Sequence, residues 1–186
     1  MAEIIGIDFG AQLSGNSVIA HLTNNEVQLI QVAKKQHTDS WLKGMVEEIN
    51  PNAVYIDAPL SLPSAYHGQG QNFHYRQADI DTRAMSPMFL GGLTARAMSL
   101  KNTFKHIPFF EVYPAFFQSE IIKSKQYKKD IELFLSELLD KTSVQLADSP
   151  TNWHQIDAIM ALLSGLRHQD NKHLEIGDIN EGIIII

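Results

Sequence analysis

The sequence predicts an α/β fold in which a mixed sheet, with three antiparallel strands followed by parallel strands, is flanked by helices. Three short segments of alternating apolar and polar residues open the chain and are joined by tight turns. A helical pattern then precedes a fourth strand, and a strand that follows a helical crossover is expected to lie parallel to its partner. A fifth strand and several amphipathic helices come after a long interruption.

The first strands are predicted at Glu3–Phe9, Asn16–Leu22 and Glu26–Val32, and Asn24-Asn25 is typical of a hairpin turn. A helix is expected over about 38–49, where apolar residues recur at helical spacing before Pro51. The remaining predictions are strands at 53–56 and 108–113 and helices near 75–85, 93–104, 115–122, 127–139 and 152–168. The terminal EGIIII is apolar enough to pair as a strand or to be buried at an interface.

The chain length of 186 residues fits one domain with a substantial core, so we expect a single domain over 1–186. Residues 61–108 are rich in Gly, Gln, His and Pro and are interpreted as an insertion within it that carries specificity. No basic and apolar leader opens the chain and no segment could span a bilayer, so we expect a soluble cytoplasmic protein.

The charge and the cysteine content limit the chemistry. Fifteen basic and 21 acidic residues give a net charge of −6, which disfavours nonspecific binding of long nucleic acid. A nuclease remains compatible with this charge, because local basic residues and metal ions can offset phosphate. The absence of cysteine excludes disulfides and thiolate metal sites.

Four acidic residues stand where the predicted topology would bring them together. Asp8 and Asp57 end the first and fourth strands, Glu111 lies on the fifth, and Asp157 lies in an otherwise apolar helix face. Carboxyl ends of neighbouring parallel strands share one edge, and converging buried acids require a cation. Oxygen ligands suit Mg²⁺ or Mn²⁺, and two such ions can stabilise both oxygens of an in-line phosphodiester displacement.

Each acid also has an ordinary structural explanation. An Asp after a strand is commonly a turn former or a helix cap, and Glu111 could be an exposed residue of an edge strand. Asp157 could interact favourably with the dipole of its helix. The order of strand end, strand end, strand and helix along the chain is what favours a shared site.

Several short segments together resemble a known family. GIDFG, YIDAPLSLP, RQADIDTR, EVYP, IDAIMAL and IGDINEG are similar to motifs of the domain-of-unknown-function family 429, regarded as predicted nucleases of the ribonuclease H-like fold. The resemblance covers nearly the whole chain and implies that Asp8, Asp57, Glu111 and Asp157 occupy the acidic positions of that family. It therefore implies a ribonuclease H-like fold, a Mg²⁺ or Mn²⁺ cofactor and a DNA or RNA substrate.

His154 precedes Asp157 by one helical turn. Holliday-junction resolvases of the same fold carry an acid or a histidine at a similar place, so His154 is a candidate to bind metal or to transfer a proton. A surface histidine without such a role is an equally good interpretation of this position.

Arg76, Asp79 and Arg83 would share one helix face. The spacing favours an ion-paired Arg76–Asp79 strut with Arg83 facing the site, and both arginines and Lys101 are candidate substrate-binding residues. Two further groups could contact nucleic acid but are more simply a solvated face and packing of the insertion. They are Lys123, Lys125, Lys128 and Lys129, and Tyr66, His67, Phe73, His74 and Tyr75.

The prediction from sequence is a nuclease that hydrolyses DNA or RNA by a two-metal mechanism, with the four acids as ligands. A nucleotide-binding phosphotransferase of the actin and sugar-kinase type shares the sheet topology, although this chain is short for two lobes. A non-catalytic module that binds a partner through the insertion is the third hypothesis, and the acidic net charge mildly favours it.

Overall fold

A mixed sheet with helices on both faces organises the protein, which a computed structural model describes over residues 3–186. The strands are β1 (Ile4–Asp8), β2 (Val18–Thr23), β3 (Glu26–Gln31), β4 (Ala53–Asp57), β5 (Phe109–Val112), β6 (Gln145–Leu146), β7 (Glu175–Asp178) and β8 (Gly182–Ile185). The helices are α1 (Thr38–Ile49), α2 (Gln77–Thr82), α3 (Pro87–Leu90), α4 (Gly92–Thr103), α5 (Pro114–Phe117), α6 (Ile131–Thr142) and α7 (Trp153–Gln169). A 3₁₀ turn at Ser64–His67 and a π-helical turn at Gln118–Ile122 complete the elements.

The strand pairing confirms the mixed sheet predicted from sequence. Within residues 3–186 the strand order is β6-β3-β2-β1-β4-β5-β8-β7. Strands β1, β2 and β3 pair antiparallel, and Asn24 and Asn25 both have positive φ in the tight turn between β2 and β3. Strands β4 and β5 extend the sheet in parallel from β1, so the carboxyl ends of all three meet at one edge.

Two apolar layers cover the sheet. Ile5 and Ile7 of β1 face the layer built with α1 and α4, whereas Ile4 faces the layer that contains α7. Gly6 permits a very close approach of α7, because a Cβ at this position would lie 2.6 Å from the Ala158 carbonyl oxygen. Helix α7 therefore lies directly on β1, and its first turn reaches the carboxyl edge of the sheet.

The predicted insertion, residues 61–108, and the last strand both contribute to the core and the sheet. Helix α4 of the insertion packs Ala97 and Leu100 into the core beside α1, as does Phe104 at its C-terminal end. The residues of EGIIII form β8, which pairs parallel with β5 and antiparallel with β7, so of the two alternatives considered for this segment the structure shows the strand. Across residues 3–186 the structure contains no helix with the length and apolar character required to traverse a bilayer.

Candidate active site

Asp8 and Asp57 form the centre of the candidate site. They are directly opposed across the parallel β1–β4 pair, and the alternation along each strand places both side chains on the sheet face that α7 covers. Burial raises the pKa of Asp8, although a hydrogen bond from His154 opposes this shift. Burial and the negative charges of Asp8 and Asp157 hold the pKa of Asp57 well above its usual range. The pair therefore carries negative charge that its surroundings compensate only in part.

His154 lies in the first turn of α7 and completes a carboxylate–imidazole pair. Its Nδ1 is 2.9 Å from Oδ2 of Asp8, and the side chain is 39% exposed. The hydrogen bond to Asp8 raises the pKa of His154 and outweighs the effect of burial. When Nδ1–H donates to Asp8, the neutral ring leaves Nε2 as an acceptor. The structure thus brings together Asp8 and His154, as the helix position suggested.

Asp157 is nearby but already has two partners. Its Oδ1 accepts a hydrogen bond of 2.7 Å from the Tyr127 hydroxyl, and its Oδ2 lies 2.5 Å from Nζ of Lys128. The same ammonium lies over the rings of Tyr127 and Trp153, at 5.0 and 5.6 Å from their centroids. Burial and the Asp157 carboxylate raise the pKa of Tyr127, so its hydroxyl stays a donor.

Sequence reasoning missed Tyr127 and Lys128 as members of this site. Lys128 stood out only as one of a run of lysines, and Tyr127 only as the start of a predicted helix. Helix α6 in fact begins at Ile131, and both residues lie in the loop before it. A contact across about thirty residues, made from a loop, leaves no periodic signal in the sequence.

Glu111 lines the same cleft as Asp8 and Asp57 but faces the other side of the sheet, and the four-carboxylate metal site stays a prediction. Glu111 is opposite Ile56 in the parallel pair, so it lies on the α1 and α4 face rather than with Asp57. Both carboxylate oxygens accept hydrogen bonds from Arg76, at 2.6 and 2.7 Å, and one also accepts from the Leu60 amide at 2.9 Å. Glu111 is therefore occupied as an ion-pair partner.

Arg76 is wholly buried, which is incompatible with the substrate contact considered for it. Its guanidinium binds Glu111, Asp79 at 2.6 Å and the Ser61 hydroxyl at 2.9 Å. The predicted Arg76–Asp79 ion pair is confirmed, and Arg76 has a structural role that ties the insertion to β5. Burial raises the pKa of Glu111, and the Arg76 guanidinium acts in the opposite direction.

A cleft of about 240 Å³ opens between the acids and the insertion. It is lined by Asp8, Phe9, Asp57, Ala58, Pro59, Asp79, Ala84, Met85, Leu90, Leu93, Glu111, Val112, Tyr113 and Ile184. Arg83 is exposed and precedes two of these lining residues, and no hydrogen bond or ion pair of its side chain is formed within residues 3–186. A larger groove of about 630 Å³, near Leu22 and Arg167, contains none of the four acids.

Lys101 does not line the cleft that contains Asp8 and Asp57. It lines a separate groove with Leu60, Met98 and Phe109. Leu93 of the same helix lines the acidic cleft, and eight residues of helix separate the two by about 12 Å. The aromatic residues of the insertion are partly exposed instead, with Phe73 at 51% and Phe89 at 62%.

The carboxylates present fit a hard cation held by two side chains better than one enclosed by four. Within the described part of the chain, no group of three or more His, Asp or Glu side chains is arranged to hold a metal ion by itself. Mg²⁺ commonly keeps several waters and binds through one or two carboxylates plus substrate phosphates. The adjacent Asp8 and Asp57 carboxylates fit that description.

Comparison with known proteins supports the fold. No family model matches the chain, and no curated protein matches it. The chain is similar to Thermus thermophilus RuvC solved in complex with a Holliday junction substrate, with 12% identity, a TM-score of 0.51 and coverage of 95% of this chain and 99% of that one. A second structure of T. thermophilus RuvC matches at 10% identity and a TM-score of 0.49, over 94% and 98% of the two chains. The ribonuclease H-like fold predicted from sequence is thereby confirmed.

Proposed function

We propose that the protein is a metal-dependent nuclease that hydrolyses phosphodiester bonds of DNA or RNA. The observation that carries this proposal is the register that sets Asp8 against Asp57 at the carboxyl edge of β1 and β4. Two adjacent carboxylates with raised pKa values, at the floor of a cleft, are a site for Mg²⁺ or Mn²⁺. A divalent cation held there would stabilise negative charge on a phosphate.

The residues around the two acids supply the other requirements of hydrolysis. Asp8 orients the His154 ring through Nδ1, which leaves Nε2 free to accept a proton from an attacking water. Lys128 holds Asp157 in place and brings a positive charge to the same side. Arg83, exposed and adjacent in sequence to the lining residues Ala84 and Met85, is the candidate for a phosphate contact, and its guanidinium can bind two phosphate oxygens.

Nucleic acid is the proposed substrate class because the insertion carries exposed aromatic rings that suit it. Tyr66 and Phe73 pack edge to face, and Phe89 contacts both His74 and Tyr75. Exposed rings can stack on bases without sequence preference. One RuvC structure to which this chain is similar was solved with a Holliday junction substrate, so a branched DNA belongs among the first substrates to test.

The test is cleavage of labelled single-stranded, duplex and four-way-junction DNA and of RNA, with Mn²⁺, Mg²⁺ or chelator. We expect metal-dependent cleavage of at least one substrate and a loss of about a hundredfold or more in the double variant Asp8→Asn/Asp57→Asn. Asp148→Asn, at an exposed position, is the matched control and should retain activity. Cleavage that persists undiminished in the double variant would disprove the assignment.

A further inference from the structure

We propose that the Lys128 ammonium takes the place of a second metal ion, so that this site holds a single divalent cation. The inference rests on the proposed function and replaces its two-metal form. It follows from the contacts of Asp157, which lies on helix α7 over the sheet face of Asp8 and Asp57 and whose two carboxylate oxygens each already accept a hydrogen bond. A second divalent cation at Asp157 would lie beside the Lys128 ammonium, and the two positive charges would repel each other.

The charges on the α7 face balance with one divalent ion. Asp8, Asp57 and Asp157 contribute three negative charges on this face, whereas the charge of Glu111 is paired with Arg76 on the other face. The Lys128 ammonium supplies one positive charge, and one Mg²⁺ or Mn²⁺ supplies two. In the absence of substrate, a second divalent ion would leave this face with excess positive charge unless Lys128 moved away.

The loop that carries Lys128 is shaped to present it. Lys128 has a left-handed backbone with φ of 60°, a conformation that favours glycine over lysine. The amides of Lys129 and Asp130 both donate to the Gln126 carbonyl, at 2.9 and 3.0 Å, which closes the turn around Lys128. The Tyr127 ring anchors the turn against Phe134 and Trp153, at centroid distances of 5.4 and 5.5 Å.

This arrangement differs from an incidental surface ion pair. An exposed lysine next to a carboxylate is worth little when its partner is solvated. Here the Asp157 side chain is only 8% exposed, and its second oxygen is fixed by a tyrosine hydroxyl. Lys128 also influences the other members of the site, because its charge lowers the pKa values of Asp8, Asp57 and His154. It therefore acts on the whole acidic cluster.

The number of bound Mn²⁺ ions tests the inference independently of activity. Calorimetric titration and the electron paramagnetic resonance signal of free Mn²⁺ should give one ion per wild-type chain. Lys128→Met removes the ammonium and should bind two, whereas Lys128→Arg keeps the positive charge and should bind one. Lys129→Met is the matched control, since its exposed side chain makes no contact with Asp157, and should bind one.

The outcomes separate this inference from the proposed function. Two ions on the wild-type chain, or one ion on both wild type and Lys128→Met, would overturn the role of Lys128 and leave a metal-dependent nuclease standing. No ion on any of the four proteins would overturn both. Thermal unfolding of each variant in chelator verifies that it folds, and Lys128→Met should be the least stable because it leaves the Asp157 carboxylate, 8% exposed, without its ammonium partner.

Discussion

Replacement of Arg76 by Met tests whether the buried ion-pair network, rather than a metal, accounts for Glu111. Arg76 is fully buried and bridges Glu111 and Asp79, which are themselves 7% and 1% exposed. Methionine preserves much of the side-chain volume but removes every donor. The variant would strand two carboxylates in the interior, with only the Leu60 and Arg76 amides left as partners.

The size of the effect follows from these contacts. Removal of one partner from a buried ion pair costs about 3–5 kcal/mol, because the remaining charge loses its compensation. For a chain of this length, each kcal/mol lowers the melting temperature by roughly 2–4 °C, so we expect a decrease of about 6–20 °C. Arg83→Met, at an exposed position, should change the free energy of unfolding by no more than about 0.5 kcal/mol.

Chemical denaturation and differential scanning calorimetry at neutral pH, in chelator, measure the effect. The triple variant Arg76→Met/Asp79→Asn/Glu111→Gln removes the stranded charges and should recover part of the lost stability. A melting temperature for Arg76→Met within about 3 °C of wild type would show that Glu111 and Asp79 are not dependent on the guanidinium. The assignment of Glu111 to a structural ion pair would then be wrong.

Three further predictions concern the α7 face, all measured by thermal unfolding in chelator. Because the pKa of Asp57 is raised, its ionisation lowers the stability of the folded state as the pH rises above the usual carboxyl range. Asp57→Asn should therefore raise the melting temperature at neutral pH and reduce its decline with pH. A melting temperature that depends on pH as in the wild type would contradict this prediction. The hydrogen bond to Asp8 raises the pKa of His154. The stability that the protonated ring contributes is therefore complete at low pH and is lost as the pH rises through the folded-state pKa. His154→Gln should accordingly lower the melting temperature more at about pH 5 than at about pH 9. Gly6→Ala should cost several kcal/mol, since its Cβ would contact backbone atoms of α7, including the Leu162 amide nitrogen; a loss below about 1 kcal/mol would show that α7 can shift.

The pairing of Asp8 with Asp57 was predictable because it depends on local patterns. Alternating segments, a helical crossover and a short apolar strand specify two neighbouring parallel strands, and parallel strands bring their carboxyl ends to the same edge. The His154 position was also accessible, since helical spacing relates it to Asp157. These inferences require only the spacing of apolar residues along each helix or strand, and not the register between strands.

The position of Glu111 depended on a quantity that the sequence pattern does not contain. A shift of one residue in the β4–β5 register would move Glu111 to the face of Asp57. PFFEVY is apolar on both faces, so alternation does not indicate which side Glu111 occupies. Glu111 is paired with a buried arginine from a distant segment, and the sequence related Arg76 to Asp79 and to substrate but not to Glu111.

Buried carboxylates are compensated differently on the two faces of the sheet edge, and this difference bears on where a substrate would bind. On the α4 face, Arg76 satisfies Glu111 and Asp79 with no exposed surface, so this network cannot exchange partners without local unfolding. On the α7 face, His154 and Lys128 are 39% and 45% exposed, and the adjacent Asp8 and Asp57 lack a buried cation of their own. Under the proposed function, the α7 face is therefore the side that would receive a cation and a phosphate from solvent. A substrate should therefore lie across the sheet edge with its scissile phosphate between the first turn of α7 and the insertion.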